Sequence, residues 1–186
     1  LNRYLPPRSH HPDSILWRSE YTPLNEKGEI LHDQARFWGQ RGIHYHQNLR
    51  AGENTVNFKL AQALHHQVSL RGRYDPVDWI EKYIEFMRTP NWHNDTYLEE
   101  YHRAFFTRYA QGKGILKCGI PDEHIGGLTT VPSLLAALPA GDHRKTIKAH
   151  ITLTHRHSNV LRAADCLVRI LQFVANGTPL REARMT

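Results

Sequence analysis

The chain has 186 residues, with 24 Lys and Arg against 18 Asp and Glu, so its formal charge is +6 with the 14 histidines neutral. That length suits one domain, or a large part of one, with a genuine core, and a composition of 40% hydrophobic and 23% charged residues excludes global disorder. No apolar run approaches the ~18 residues of a membrane-spanning helix, and two cysteines, Cys118 and Cys166, make no disulfide framework and point to a reducing, cytoplasmic setting.

The first fifty residues lack a clean period. Pro6, Pro7, Pro12, Pro23 and Gly28 punctuate them, which predicts an irregular, surface-hugging segment over 1–26, anchored by Leu16, Trp17 and Tyr21. A short helix is expected from Ile30 to Gln40, stopped near Gly39 or Gly42. The chain begins at Leu1 with a polar stretch and no signal peptide, which reads as a processed chain or a piece of a longer one.

From residue 51 the pattern turns helical. Val56, Leu60, Leu64 and Val68 recur every fourth residue, the spacing of one helix face. After the turn Arg71-Gly72-Arg73, Asp75-Pro76 opens a second helix as cap and first helical residue. Ile80, Tyr83, Ile84 and Met87 form its stripe, and Thr89-Pro90 stops it. Asn94-Asp95-Thr96 offers caps for a third helix lined by Tyr97, Leu98, Tyr101, Phe105 and Tyr109. A loop over 113–123, helices over Leu128–Leu138 and Arg144–Leu153, and a last helix capped by Ser158 and ended by Asn176-Gly177 complete the reading. Few alternating β-branched runs occur, so the expected fold is all-α, one partial domain over 1–186 with an irregular segment over 1–50 and a helical core over 51–186.

Four polar clusters precede helices. Gly52-Glu53-Asn54-Thr55 sets a carboxylate, an amide and a hydroxyl side by side, oxygen donors of the kind a hard cation such as magnesium takes. The same residues also make an ordinary helix start, with Asn54 or Thr55 as cap and Glu53 complementing the dipole. His124-Ile-Gly126-Gly127-Leu-Thr-Thr130 has two glycines ahead of a helix, which allow close approach of a ligand or form a plain turn. Thr154-His155-Arg-His157-Ser158, with His150 nearby, lacks the companion ligands of a zinc motif. Trp92-His93-Asn94-Asp95-Thr96-Tyr97 is either a cap or part of a shared cleft. A helical bundle gathers helix N-termini at one end, where an anionic ligand and its metal ions are accommodated.

The ordered set of motifs resembles the ADP-ribosylglycohydrolase family, in a bacterial branch with divergent metal motifs. It comprises the stretch Ser14 to Gly28, His32-Asp-Gln-Ala, Trp38-Gly-Gln-Arg-Gly-Ile-His-Tyr-His46, Gly52-Glu-Asn-Thr55 and Tyr74-Asp-Pro76, followed by His93-Asn-Asp-Thr-Tyr-Leu-Glu-Glu100, Ile125-Gly-Gly-Leu128 and Leu153-Thr-His155. The resemblance implies an orthogonal helical bundle around a cleft, and hydrolysis of the glycosidic bond between ADP-ribose and an acceptor with two magnesium ions. It places metal ligands at Glu53, Asn54 and Thr55, the catalytic carboxylate at Glu53, and ligand contacts at Asn94, Asp95, Gly126, Gly127 and His155. The family's Thr-Asp-Asp-Thr stands here as Gly52-Glu53-Asn54-Thr55, one carboxylate short, which weakens a two-metal site. The family's opening glycine-containing helix and closing acidic, glycine-rich metal motif do not occur in 1–186, so the resemblance implies truncation at both ends and an inactive fragment.

Two functional expectations follow. One is a magnesium-assisted hydrolase in the full-length parent, acting on an ADP-ribosylated acceptor. The other is a catalytically lapsed member that binds ADP-ribose or serves structurally, as crystallin-like relatives do. A nucleic-acid partner is not expected: although the pI is about 9.5, the basic residues are scattered and show no module signature.

Overall fold

The computed structural model describes Leu16 and residues 20–183. The expectations for Pro6, Pro7, Pro12 and Trp17, and part of the motif from Ser14 to Gly28, lie outside the described residues. The described chain is helical, with helices α1 (Val56–Arg71), α2 (Pro76–Arg88), α3 (Glu100–Ala110), α4 (Val131–Ala137), α5 (Arg144–Thr152), α6 (Ser158–Ala175) and α7 (Leu180–Ala183). Among the described residues there is no strand, only one parallel bridge between Ile120 and His155. None of the described helices is long and apolar enough to cross a membrane.

The local signals account for the strongest helices. In α1 the fourfold stripe Val56, Leu60, Leu64 and Val68 is buried. Gly72 ends the helix at φ 65°, and its N–H donates to the Val68 carbonyl. Asp75 caps α2 by accepting the Val77 and Asp78 N–H groups, with Pro76 in the first turn. Helices α1 and α4 pack on one another, as do α5 and α6. Phe105, Phe106, Leu64, Ile80, Met87 and Leu134 have at most a trace of exposure, and each contributes about 1.5–3 kcal/mol on burial.

Elsewhere tertiary bonds override the local signals. The expected helix over Ile30–Gln40 is a 3-10 segment, His32–Phe37. One Glu29 oxygen accepts from Tyr21 Oη at 2.9 Å and from the Leu31 and His32 N–H groups at 2.8 Å, and it holds His32 in a left-handed turn at φ 52°. The third helix starts at Glu100 rather than beside Asp95. Residues 94–99 stay non-helical because Thr96 is tied on both sides: its hydroxyl donates to the Tyr45 carbonyl at 2.6 Å and its carbonyl accepts Trp38 Nε1 at 2.7 Å. The expected helix over Leu128–Leu138 divides into a 3-10 turn, Ile125–Leu128, and α4. His157, not Ser158, caps α6, its ring accepting the Asn159 N–H.

Cys118 is buried and Cys166 exposed, both as free thiols. Leu16 is fully buried and Tyr21 packs against the core, as the expected anchoring of the N-terminal segment requires.

Candidate functional site

Gly52, at φ 80°, turns the chain so that Glu53 faces the start of α1. Glu53 Oε1 accepts from Lys59 Nζ at 2.9 Å and from Asn94 Nδ2 at 2.8 Å, and Oε2 accepts the Arg50 N–H at 3.2 Å. Lys59 Nζ also donates to the Trp92 carbonyl at 3.2 Å. The ammonium bond, before any other cause, holds the Glu53 carboxyl down to about 2. The two side chains are 16% and 21% exposed, so this is a half-sheltered ion pair rather than a fluctuating surface one. Asn54 points its amide at Gln62 Oε1, 3.2 Å away. Thr55 holds the cap position of α1 but makes no side-chain cap bond.

The cap comes from Asp95, whose Oδ2 accepts the Val56 N–H at 2.8 Å. Asp95 is 3% exposed, and burial pushes its carboxyl up to about 6 against the pull of that N–H. His93 stands beside it with Nδ1 3.9 Å from Asp95 Oδ2 and Nε2 donating to the Ile30 carbonyl at 2.9 Å. Burial lowers His93 to about 4, so it is a neutral imidazole at neutral pH.

At the next residue of α1, Asn57 begins a buried polar chain. Its Nδ2 donates to Glu99 at 2.8 Å, and its Oδ1 accepts from Tyr101 Oη at 2.9 Å and His102 Nε2 at 3.2 Å. His102 Nδ1 then accepts the Tyr83 hydroxyl at 2.7 Å. Tyr101 leads to the glycine pair. A Cβ on Gly126 would stand 2.9 Å from the Tyr101 ring, and one on Gly127 would stand 2.6 Å from His155 Nδ1. The glycines are therefore required so that the chain can lie flat on Tyr101 and His155, whose rings are themselves 4.4 Å apart. His155 is fully buried, its Nδ1 bonded to Thr154 Oγ1 at 2.9 Å and its Nε2 without a partner among the described residues. Burial lowers it to about 4. His150 is bonded through both ring nitrogens, to Tyr74 Oη at 2.9 Å and Thr130 Oγ1 at 2.7 Å. A cavity of about 30 Å³ lies among Asn57, Tyr83, Tyr101, His102, Gly127 and Thr130, room for a water molecule.

The structure thus bonds Asn94 to Glu53, ties the neighbouring Asp95 to the start of α1, packs Gly127 on His155 and Gly126 on Tyr101, and links the two groups through Asn57 and Tyr101. Asn54 and Thr55 share the turn but bond neither group. Sequence reasoning missed Lys59 and the interior partners Asn57, Tyr83, His102 and Thr130. Lys59 gives no periodic signal, because Glu53 lies in a turn and the helical spacing rules start only at Val56.

A magnesium ion at Glu53 meets a site already provided with a cation. The oxygen that faces the cluster carries the Lys59 ammonium and the Asn94 amide, and Asp95 is committed to the α1 backbone. Among the described residues no three His, Cys, Asp or Glu side chains gather as metal ligands. As arranged, the donors do not fit the two-ion site that the resemblance implies. Compared with protein-family models, curated proteins and solved structures, the chain matches none.

Proposed function

We propose that the chain is an ADP-ribosylglycohydrolase-like domain of the catalytically lapsed kind, one that binds ADP-ribose or serves as a scaffold without magnesium-assisted turnover. The observation that carries this reading is the Lys59 ammonium at 2.9 Å from Glu53 Oε1. A lysine in this place neutralises the one carboxylate of the Gly52-Glu53-Asn54-Thr55 turn, the charge on which a divalent ion depends. The commitment of Asp95 to Val56 supports the same reading, since it makes the second acidic residue of the cluster a structural cap. The hydrolase expectation instead needs Glu53 as metal ligand and catalytic carboxylate, roles open to its Oε1 only after Lys59 has moved away.

Calorimetric titration with ADP-ribose, with and without magnesium, tests this reading, alongside incubation with ADP-ribosylated arginine, serine and thymidine acceptors. The expected result is an ADP-ribose affinity that magnesium does not change, or no binding, and no free ADP-ribose from any acceptor. Magnesium-dependent release of ADP-ribose overturns the proposal.

A further inference from the structure

Helix α5 presents a surface outside the cluster around Glu53. Lys145, Lys148 and Ala149 of α5, with Leu153 just after it, form one wall of an open groove of about 470 Å³, and Pro76 and Leu116 form the other. The floor is aliphatic, and Leu116 is 42% exposed on it. The rim is cationic. Lys145 and Lys148 line the groove, Lys117 follows Leu116 in the chain, and Arg156 donates from its guanidinium to the Leu116 carbonyl at 2.5 Å. Among the described residues none of these four cations has a carboxylate within ion-pair distance. Three nearby acids are committed elsewhere: Asp75 caps α2 and faces Arg73, Asp78 pairs with Arg71, and Asp142 holds Arg144, while Asp165 faces Lys145 and Lys148 from the α6 side of α5, away from the groove lining.

We propose that this groove docks an acidic polypeptide segment, its aliphatic side chain seated on Leu116, Pro76 and Leu153 and its flanking carboxylates paired with Lys145 and Lys148. Charge complementarity selects the partner's sign, since among the described residues the charged side chains that line the groove, Lys145 and Lys148, are both positive. The lining selects its kind. Among the described residues no aromatic ring lines the groove on which bases would stack, which separates it from a single-stranded nucleic-acid track. It is also a small open groove with two lysines in its lining rather than a broad apolar face for a bilayer.

Fluorescence anisotropy of the whole chain with a labelled peptide, paired leucines between glutamate runs, tests the proposal. Binding is expected to weaken as salt rises. It is also expected to fall about tenfold or more in Lys145→Glu combined with Lys148→Glu, and to fall again when the peptide leucines are replaced by serine. These substitutions are on the surface, and an unchanged melting temperature confirms that the fold is intact. A second variant, Leu116→Ser, separates the floor from the rim and is expected to weaken the leucine peptide but not the serine one. Absence of peptide binding, equal binding of the leucine and serine peptides, or a preference for a thymidine oligonucleotide or phosphatidylserine vesicles overturns the proposal.

Discussion

Asp95 and Val56 are 39 residues apart in the chain and 2.8 Å apart in space, from the Asp95 carboxylate to the Val56 N–H. A helix start ordinarily takes its cap from the residue just before it. Here Thr55 holds that position without a side-chain cap bond, and the acceptor arrives from the segment ahead of α3. This one bond fixes the turn that carries Glu53 to the non-helical stretch that carries Asn94. Asp95→Ala removes the cap and leaves a buried N–H unpaired, so it should cost about 1–3 kcal/mol. Urea unfolding of the variant against the parent chain measures this, and a loss within error means that water satisfies the N–H.

Protonation should be felt strongly in the acid range. His93 and His155 are lowered to about 4, His150 to about 3, and His102 well below its ordinary 6.5, all chiefly by burial. Each is neutral when folded and takes a proton near 6.5 when unfolded. Their stabilisation is therefore present above about 6.5 and is lost as pH falls toward 4, by up to about 1.4 kcal/mol per pH unit for each group. Asp95 works in the opposite sense: raised to about 6 from 3.8, it contributes below 3.8 and loses that contribution as pH rises through 6. One acid opposes four imidazoles, so the melting temperature should drop steadily between pH 6.5 and 4. A flat profile across that window would contradict the buried neutral histidines.

The glycine pair offers a steric test. In Gly127→Ala the new methyl group would meet His155 Nδ1 at 2.6 Å and Cγ at 2.8 Å. Because His155 is fully buried it has nowhere to retreat, and the expected loss is about 1–3 kcal/mol. Gly114, where an added Cβ meets nothing within 4 Å and φ is −56°, is the control, and Gly114→Ala should be neutral or slightly stabilising. Equal melting temperatures for the two variants would refute the packing account.

Removing the resident cation should release Glu53. In Lys59→Met the leading cause of its depressed pKa is lost while the Asn94 and Arg50 bonds remain. The Glu53 carboxyl should then rise from about 2 toward the ordinary 4.5, read from its carboxyl carbon shift by NMR titration. An unchanged midpoint would show that the amide donors, not Lys59, hold the charge.

The all-α character and the starts and ends of α1 and α2 were legible because their signals are local: a fourfold apolar stripe, a left-handed Gly72, and Asp75 ahead of Pro76. The segments that misled did so where a distant partner outweighs propensity. Thr96 is claimed by Tyr45 and Trp38, and the turn at His32 is fixed by Glu29. The cluster was legible only as a set of polar residues ahead of helices. That Glu53 meets Asn94 follows from the packing of α1 on its neighbours, and the role of Lys59 depends on the turn at Gly52, which no spacing rule covers.

The parallel bridge between the stretch after α3 and the α5–α6 corner has a consequence for how the molecule breathes. The Ile120 N–H donates to the Thr154 carbonyl at 3.0 Å and the Arg156 N–H returns to the Ile120 carbonyl at 2.7 Å, clasping the stretch after α3 onto the shelf that holds His155. Gly119 beside it is so close to the Leu153 carbonyl, at 2.7 Å from a would-be Cβ, that the clasp admits no side chain. The linker therefore behaves as a stitched seam rather than a hinged flap.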